Sequence, residues 1–157
     1  MQLARDLAVS ERVRYISAEE GTDKSFQDAC RRAGITPADR IIINEYIPAA
    51  ELDEMISKGK QPRIVFLDNL VVYQDELKGL GLRLLSERHP DVLFVCVAHE
   101  ERREPYPASA RMAKKLAKVY VHIQGLKAFV VSRFAPQGGE IIINDDLSEM
   151  YWGEQTI

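Results

Sequence analysis

The sequence has few of the residues that mark special structural classes. Its two cysteines, Cys30 and Cys96, are too few for a disulfide framework and lack the spacing of zinc ligands, which favours a reduced, cytoplasmic protein. Nine glycines and seven prolines in 157 residues exclude collagen-like and low-complexity chains. The longest apolar run, Val92 to Ala98, is far shorter than the roughly 20 residues of a membrane helix. The sequence therefore predicts a soluble protein with no membrane partner.

The sequence also lacks a large excess of either positive or negative charge. Lysine and arginine total 21 and aspartate and glutamate total 24, which gives a net charge of -3. This balance argues against a monomer that coats nucleic acid non-specifically, although a local basic patch stays open. A chain of 157 residues is long enough to bury one hydrophobic core, so we predict one domain over residues 1–157.

Hydrophobic periodicity alternates between short β-branched runs and longer amphipathic segments over most of the chain. This alternation predicts a helix-covered parallel sheet. The predicted helices are Met1–Val9, Thr22–Ala33 with Thr22 or Asp23 as cap, Pro48 to about Lys58, Asp75–Arg88 with four leucines (77, 80, 84 and 85) inward, and Pro107–Ala117. The predicted strands are Val13–Ser17, Arg40–Asn44, Arg63–Asp68 and Val92–Ala98. The last is the most apolar, and we expect it to be central because strands covered on both faces read as continuous apolar runs.

The pattern changes near the end of the chain. Val119–Ile123, Lys127–Phe134 and Glu140–Asn144 form three further predicted strands, joined by Gln124–Gly125 and Pro136–Gly139. These links are too short for crossover helices, so the strands should form an antiparallel meander. The predicted fold class is α/β, with a mainly parallel sheet flanked by helices and C-terminal antiparallel strands.

Polar residues follow three of the predicted parallel strands. They are Glu19 and Glu20 after the first, Asp68 and Asn69 after the third, and His99 after the fourth. Taken singly, each is better explained by a strand ending at the surface, but the three groups together predict a site because ligands bind beyond the carboxyl ends of parallel strands. The residue types suit a metal and phosphate: Asp68 would hold Mg²⁺ through water, Glu19 would orient an attacking water, and His99 would sense charge.

A second feature is cationic. Lysine and arginine recur at helical spacing on the predicted helix from Pro107, and two arginines precede it; the residues are Arg102, Arg103, Arg111, Lys114, Lys115 and Lys118. A solvated helix face is the simpler interpretation, and a strip facing nucleic acid or a neighbouring subunit's phosphates is the sharper one. Arg133, near the end of a meander strand, is a candidate arginine finger.

The order of these motifs resembles the RecA-like ATPase core, in particular that of RadA, KaiC and the DnaB-type helicases. The resemblance covers nearly the whole chain and rests on six segments in order: Tyr15–Glu20, Cys30–Ile35, Arg40–Asn44, Ile64–Asn69, Val97–His99 and Val130–Phe134. It implies an ATPase of DNA replication, repair or mobile-element maintenance, with ATP and Mg²⁺ as cofactors. It also implies DNA as a partner and a homo-oligomeric ring or filament.

By this resemblance, Glu19, with Glu20 adjacent, matches the catalytic glutamate that activates water. Asp68 matches the Walker B aspartate, with Asn69 beside it at the nucleotide, and His99 matches the polar sensor. The segment 100–106 matches a region that contacts DNA in several relatives.

Arg133-Phe134 matches the Lys-Asn-Arg-Phe-Gly type motif of RadA, which implies phosphate contact across a subunit interface. The lysine, asparagine and glycine positions of that motif are Val131, Ser132 and Ala135 here, so the match is incomplete.

The family's phosphate loop, G-x-x-x-x-G-K-[ST], is missing from the sequence: none of the nine glycines begins it, and Gly59-Lys60 is followed by Gln61. The segment Met1–Ala8 resembles the helix that follows this loop. We therefore expect an N-terminally truncated core that lacks the first strand and the loop, is inactive as it stands, and has an exposed sheet edge near Val13 or Val92.

Two other interpretations stay open. One is a non-catalytic RecA-like adaptor or loader that acts through protein contacts. The other is a flavodoxin- or receiver-like signalling domain, which would end in a parallel strand and a helix and would have no antiparallel strands after Lys118.

Overall fold

A computed structural model describes residues 1–102 and 104–153. The chain divides into two compact units, residues 1–115 and 116–157, which are described separately. Within the described ranges, no helix is long and apolar enough to cross a membrane.

The first unit is built on a four-stranded parallel sheet. Its strands are β1 (Val13–Ser17), β2 (Ile41–Asn44), β3 (Ile64–Asp68) and β4 (Leu93–Cys96), in the order β2-β1-β3-β4. The register aligns Ser17 with Asp68, so β1 and β3 end side by side. The prediction of a parallel sheet is confirmed.

Helices cover both faces of this sheet. They are α1 (Gln2–Ala8), α2 (Lys24–Arg32), α3 (Ala49–Ser57), α4 (Gly81–Arg88) and α5 (Ala108–Leu116). Alternate residues of β1 enter two hydrophobic clusters, because successive side chains of a strand point to opposite faces. Tyr15 packs in the cluster that includes Phe26 of α2, whereas Ile16 packs in the cluster that includes Leu52 of α3. Asp23 caps α2 by accepting a hydrogen bond from the Phe26 N–H at 3.0 Å, as predicted.

The most apolar predicted strand is not central. β4 lies at the edge of the sheet, and Leu93 is 51% exposed, whereas every residue of β1 is buried. The prediction from Val92–Ala98 was wrong because a continuous apolar run does not show whether a strand has a neighbour on each side, and β4 is less covered than β1.

The predicted helix Asp75–Arg88 is shorter than expected. It begins at Gly81, and residues 70–80 form turns that still bury Tyr73 and Leu77. Gly79 has a φ of +61°, a left-handed conformation that interrupts a helix. Leu80 and Leu84, predicted to face inward, are 57% and 46% exposed.

A short antiparallel hairpin follows β4. It pairs β5 (His99–Glu101) with β6 (Glu104–Tyr106) and was not predicted. Its consequence for the site is that His99 is held in a paired strand directly after β4.

The second unit contains the predicted antiparallel meander. Its strands β7 (Val119–Gln124), β8 (Lys127–Ser132) and β9 (Ala135–Ile142) lie in that order. The second turn is at Arg133–Phe134, and the predicted link Pro136–Gly139 is part of β9. The ladder is irregular there: Val130 pairs with Gly139 and Ser132 pairs with Ala135, so the predicted link is an irregular part of β9 and not a turn.

Helix α6 (Asp145–Trp152), which was not predicted, packs on the meander. The ring of Trp152 lies edge-on to Phe129, with centroids 6.0 Å apart, and its indole N–H donates to the Gly125 carbonyl oxygen at 3.1 Å. Asn144 caps the helix by accepting from the Leu147 N–H at 3.0 Å.

Candidate functional site

Three residues predicted from separate strands meet at the carboxyl edge of the parallel sheet. Glu19 follows β1, Asn69 follows β3 and His99 follows β4, and these strands are neighbours. The Asn69 side-chain Nδ2 donates to Glu19 Oε2 and lies 3.0 Å from His99 Nε2. His99 Nε2 also lies 3.2 Å from Glu19 Oε2. The structure therefore brings a carboxylate, an amide and an imidazole into direct contact.

Asn69 is the buried member of this group. It is 2% exposed, whereas the side chains of Glu19 and His99 are 45% and 62% exposed. Its Oδ1 accepts a hydrogen bond from the Val71 N–H at 2.8 Å, within the turn that follows β3. The site thus has a fixed amide beneath two solvent-accessible groups.

Asp68 accepts hydrogen bonds from β1 and from the turn after it. Its carboxylate accepts a hydrogen bond from the Tyr15 hydroxyl, and its main-chain oxygen accepts from the Ala18 N–H at 2.7 Å. Burial, and to a smaller extent the hydrogen bond to Asp68, raises the pKa of Tyr15 well above its ordinary range. Tyr15 therefore stays a hydrogen-bond donor. The sequence did not reveal this role of Tyr15, because the contact with Asp68 depends on the register of β1 and β3.

Glu20 lines an acidic depression of about 460 Å³ next to Glu19. Asp23 and Glu45 also line it, and the Thr22 hydroxyl donates to Glu45 Oε1 at 2.7 Å. Glu45 follows β2, so the same rule about strand ends that selected Glu19 could have found it.

The carboxylates at this edge do not form a grouped set of metal ligands among the described residues. Within residues 1–102 and 104–153, no three His, Cys, Asp or Glu side chains group as a metal site. Mg²⁺ commonly takes one or two carboxylates and completes its shell with waters and substrate phosphates. Asp68 could supply one such carboxylate, and Glu19 could accept a proton or orient water.

The predicted basic residues are on the surface. Arg102 lies in the β5–β6 turn with a φ of +53°, and Arg103 lies outside the described residues. Arg111, Lys114 and Lys115 are exposed on α5, and Lys114 Nζ lies 3.9 Å from Glu104 Oε2. This arrangement gives α5 an exposed cationic face.

Arg133 belongs to the second unit, in the turn between β8 and β9. It is exposed, and its main-chain N–H donates to the Lys118 carbonyl oxygen at 3.1 Å. Its position in a tight turn fits a side chain presented to solvent.

The two cysteines have no features of reactive nucleophiles. Neither forms a disulfide, and both pack against the hydrophobic clusters. Burial raises the pKa of both thiols, that of Cys96 to about 12. A thiol with a raised pKa is a poor nucleophile at neutral pH, in agreement with the predicted core role.

No protein-family model and no curated protein matches the chain. The geometry of the site is therefore the basis for its interpretation.

Proposed function

We propose that the chain is a RecA-like ATPase core of a DNA replication, repair or mobile-element protein. In this proposal ATP hydrolysis drives remodelling of DNA or of a protein partner. The observation that carries the proposal is the meeting of Glu19, Asn69 and His99 at the carboxyl edge of three adjacent parallel strands, with Asp68 at the end of the middle one.

Each residue has a distinct role in the proposed reaction. Glu19 accepts a proton from the attacking water, because its carboxylate is partly exposed yet held in place by two neighbours. Asp68, oriented by Tyr15, would hold Mg²⁺ through water. Mg²⁺ bound with ATP would neutralise charge on the phosphates. His99, in contact with Glu19, would sense charge on the transferred phosphoryl group.

The side of β4 that faces away from β3 is where the proposal expects a further strand. The Leu93 and Val97 N–H groups donate to main-chain oxygens of Arg63 and Leu67, on the β3 side. In a parallel ladder alternate residues face opposite neighbours, so the N–H groups of Phe94 and Cys96 face away from β3. The proposal expects a strand followed by a Gly-Lys-Ser or Gly-Lys-Thr loop to pair there.

The basic residues have secondary roles in this proposal. The exposed face of α5, with Arg102 and Arg103, would contact DNA, and Arg133 would contact a phosphate of a neighbouring subunit in a ring or filament. Their exposure on α5 and in the β8–β9 turn supports these roles.

The test begins with the gene. Reading upstream in frame should reveal the strand and loop, and a stop codon or unrelated sequence directly upstream would refute the proposal. The protein extended by this upstream strand and loop (the extended protein) should then hydrolyse ATP. Glu19→Gln and Asp68→Asn should abolish its turnover, because they remove the base and the metal-holding carboxylate. Hydrolysis by these variants within about tenfold of the parent would refute their roles. Glu54→Gln, an exposed carboxylate on α3 away from this edge, is the matched control and should retain activity.

A non-catalytic RecA-like adaptor or loader is the second candidate. It is favoured by the lack of a G-x-x-x-x-G-K-[ST] motif in the sequence, since backbone N–H groups of that loop cradle the phosphates. It predicts a folded protein with no affinity for ATP–Mg²⁺. Calorimetric detection of micromolar ATP binding by this chain would eliminate it.

A flavodoxin- or receiver-like domain is disfavoured by the structure. Such folds end in a parallel strand and a helix, whereas the described residues after Lys118 form three antiparallel strands and then α6.

A further inference from the structure

We propose that Asn69 is a positioning residue that orients the Glu19 carboxylate and holds neutral His99 in its Nδ1–H tautomer. Any consequence for water activation rests on the proposed ATPase function. The tautomer itself depends only on the hydrogen bonds around Asn69.

The orientation of the Asn69 amide is determined by its surroundings. An amide oxygen accepts and an amide nitrogen donates, and the Val71 N–H requires an acceptor 2.8 Å away. That requirement places Oδ1 toward Val71 and Nδ2 toward Glu19 and His99. Because Asn69 is 2% exposed, its amide groups depend on these protein partners.

Asn69 Nδ2 carries two N–H groups and faces two polar atoms. It donates to Glu19 Oε2 and lies 3.0 Å from His99 Nε2, and a hydrogen bond from Nδ2 to that ring nitrogen needs Nε2 as the acceptor. A ring nitrogen can accept only when it carries no proton, so this contact requires the neutral Nδ1–H tautomer. The His99 side chain is 62% exposed, so the ring is accessible to solvent.

The direct contact between His99 and Glu19 is the competing arrangement. At 3.2 Å, His99 Nε2 could donate to Glu19 Oε2, but only if Nε2 carried a proton. That proton would place two donors against each other across the 3.0 Å between Asn69 Nδ2 and His99 Nε2. The two arrangements therefore exclude each other, and the buried amide of Asn69 selects the first.

The selection has a consequence for Glu19. In the selected arrangement Glu19 Oε2 accepts from the buried amide, and the imidazole does not donate to it. The amide therefore fixes the orientation of the carboxylate beside the imidazole. Asn69 acts through Glu19 and His99, which is the role of a positioning residue.

The decisive measurement is the ¹⁵N spectrum of the histidine side chains in the protein at alkaline pH, where imidazoles are neutral. A His99→Gln variant assigns the signals by loss. We expect His99 Nε2 of the parent chain to resonate mainly as an unprotonated ring nitrogen. A parent His99 that is mainly Nε2–H would overturn the proposal without any further variant.

Asn69→Asp separates the two bonds of the side chain. Aspartate keeps an acceptor for the Val71 N–H but replaces the donor beside His99 by a second acceptor. We expect the His99 signals to shift to the Nε2–H tautomer, and an unchanged spectrum of the folded variant would overturn the proposal. The matched control is Asn144→Asp at the N-cap of α6, which makes the same chemical change and should leave the His99 tautomer unchanged.

The catalytic consequence is tested in the extended protein. Asn69→Asp should lower kcat for ATP about 10- to 100-fold, as for other residues that orient a reacting group, with KM changed much less. An unchanged kcat would overturn the positioning role in water activation. If the extended parent does not hydrolyse ATP, the proposed function fails, and the tautomer measurement still decides the proposal about Asn69.

Discussion

The carboxylate of Asp53 joins two helices of the first unit through His89. His89 Nε2 lies 2.6 Å from Asp53 Oδ1, and Arg88 Nη2 lies 2.6 Å from Asp53 Oδ2. Asp53 is in α3, whereas Arg88 and His89 are at the end of α4. One side chain therefore connects two of the helices that cover the same face of the sheet.

Asp53→Asn should destabilise the protein by about 0.5–1 kcal/mol at neutral pH, because it removes a charge-assisted contact that is still partly solvated. The hydrogen bond from Arg88, with a further one from His89, holds the pKa of Asp53 below its ordinary value, although burial acts the other way. A lowered carboxyl pKa stabilises the fold above the unfolded value of about 3.9, and this contribution is lost as pH falls through the folded value.

Urea unfolding between neutral pH and about pH 3 measures both effects, and the difference between parent and Asp53→Asn should shrink toward acid. Glu54→Gln is the control in the same helix. Glu54 pairs with Lys58 at 2.9 Å, but the two side chains are 69% and 67% exposed. The change in stability for Glu54→Gln should not exceed about 0.5 kcal/mol. A difference for Asp53→Asn that is independent of pH would contradict the linkage.

Much of the first unit could be predicted because local signals and tertiary contacts agree there. Asp23 is a helix cap in the sequence and in the structure, and the rule about strand ends brought Glu19, Asn69 and His99 to one edge. Strand order could not be predicted, since it depends on pairing. β1 is central although it contains Arg14, which donates to the amide oxygens of Asn44 and Gln61.

The contacts within the site could not be predicted from the sequence either. The bond from Tyr15 to Asp68 requires that two strands end in register, and the amide orientation of Asn69 requires a turn that offers the Val71 N–H. Neither relation leaves a periodic pattern. Residue types at strand ends therefore predict which groups meet, whereas their roles follow from the register and the turn.

The exposed edge of β4 should be visible in amide exchange. We expect the N–H groups of Phe94 and Cys96, which face away from β3, to exchange faster than that of Val95, which faces β3. Hydrogen–deuterium exchange followed by NMR on this chain measures the difference. Equal protection of the three amides at a concentration where the protein is monomeric would contradict the assignment of the edge.

The same edge should promote self-association, because it lacks charges that oppose edge-to-edge pairing. Sedimentation as a function of concentration should show association of the parent chain. Leu93→Lys, at a site that is 51% exposed, should reduce it, and a variant that associates as strongly as the parent would place the contact elsewhere.

Gly138 should tolerate a side chain far less well than its neighbour Gly139. Gly138 has a φ of +68°, and a Cβ there would lie 2.7 Å from the Val130 carbonyl oxygen of the adjacent strand, whereas a Cβ on Gly139 would meet no atom within 4 Å. Gly138→Ala should therefore destabilise the meander by about 1–3 kcal/mol through the left-handed backbone and the close approach. Gly139→Ala is the matched control with the same added methyl group. Thermal unfolding followed by tryptophan fluorescence reports on this unit, because Trp152 packs on Phe129 of β8. Equal midpoints for the two variants would show that the conformation of β9 at Gly138 differs from the one described.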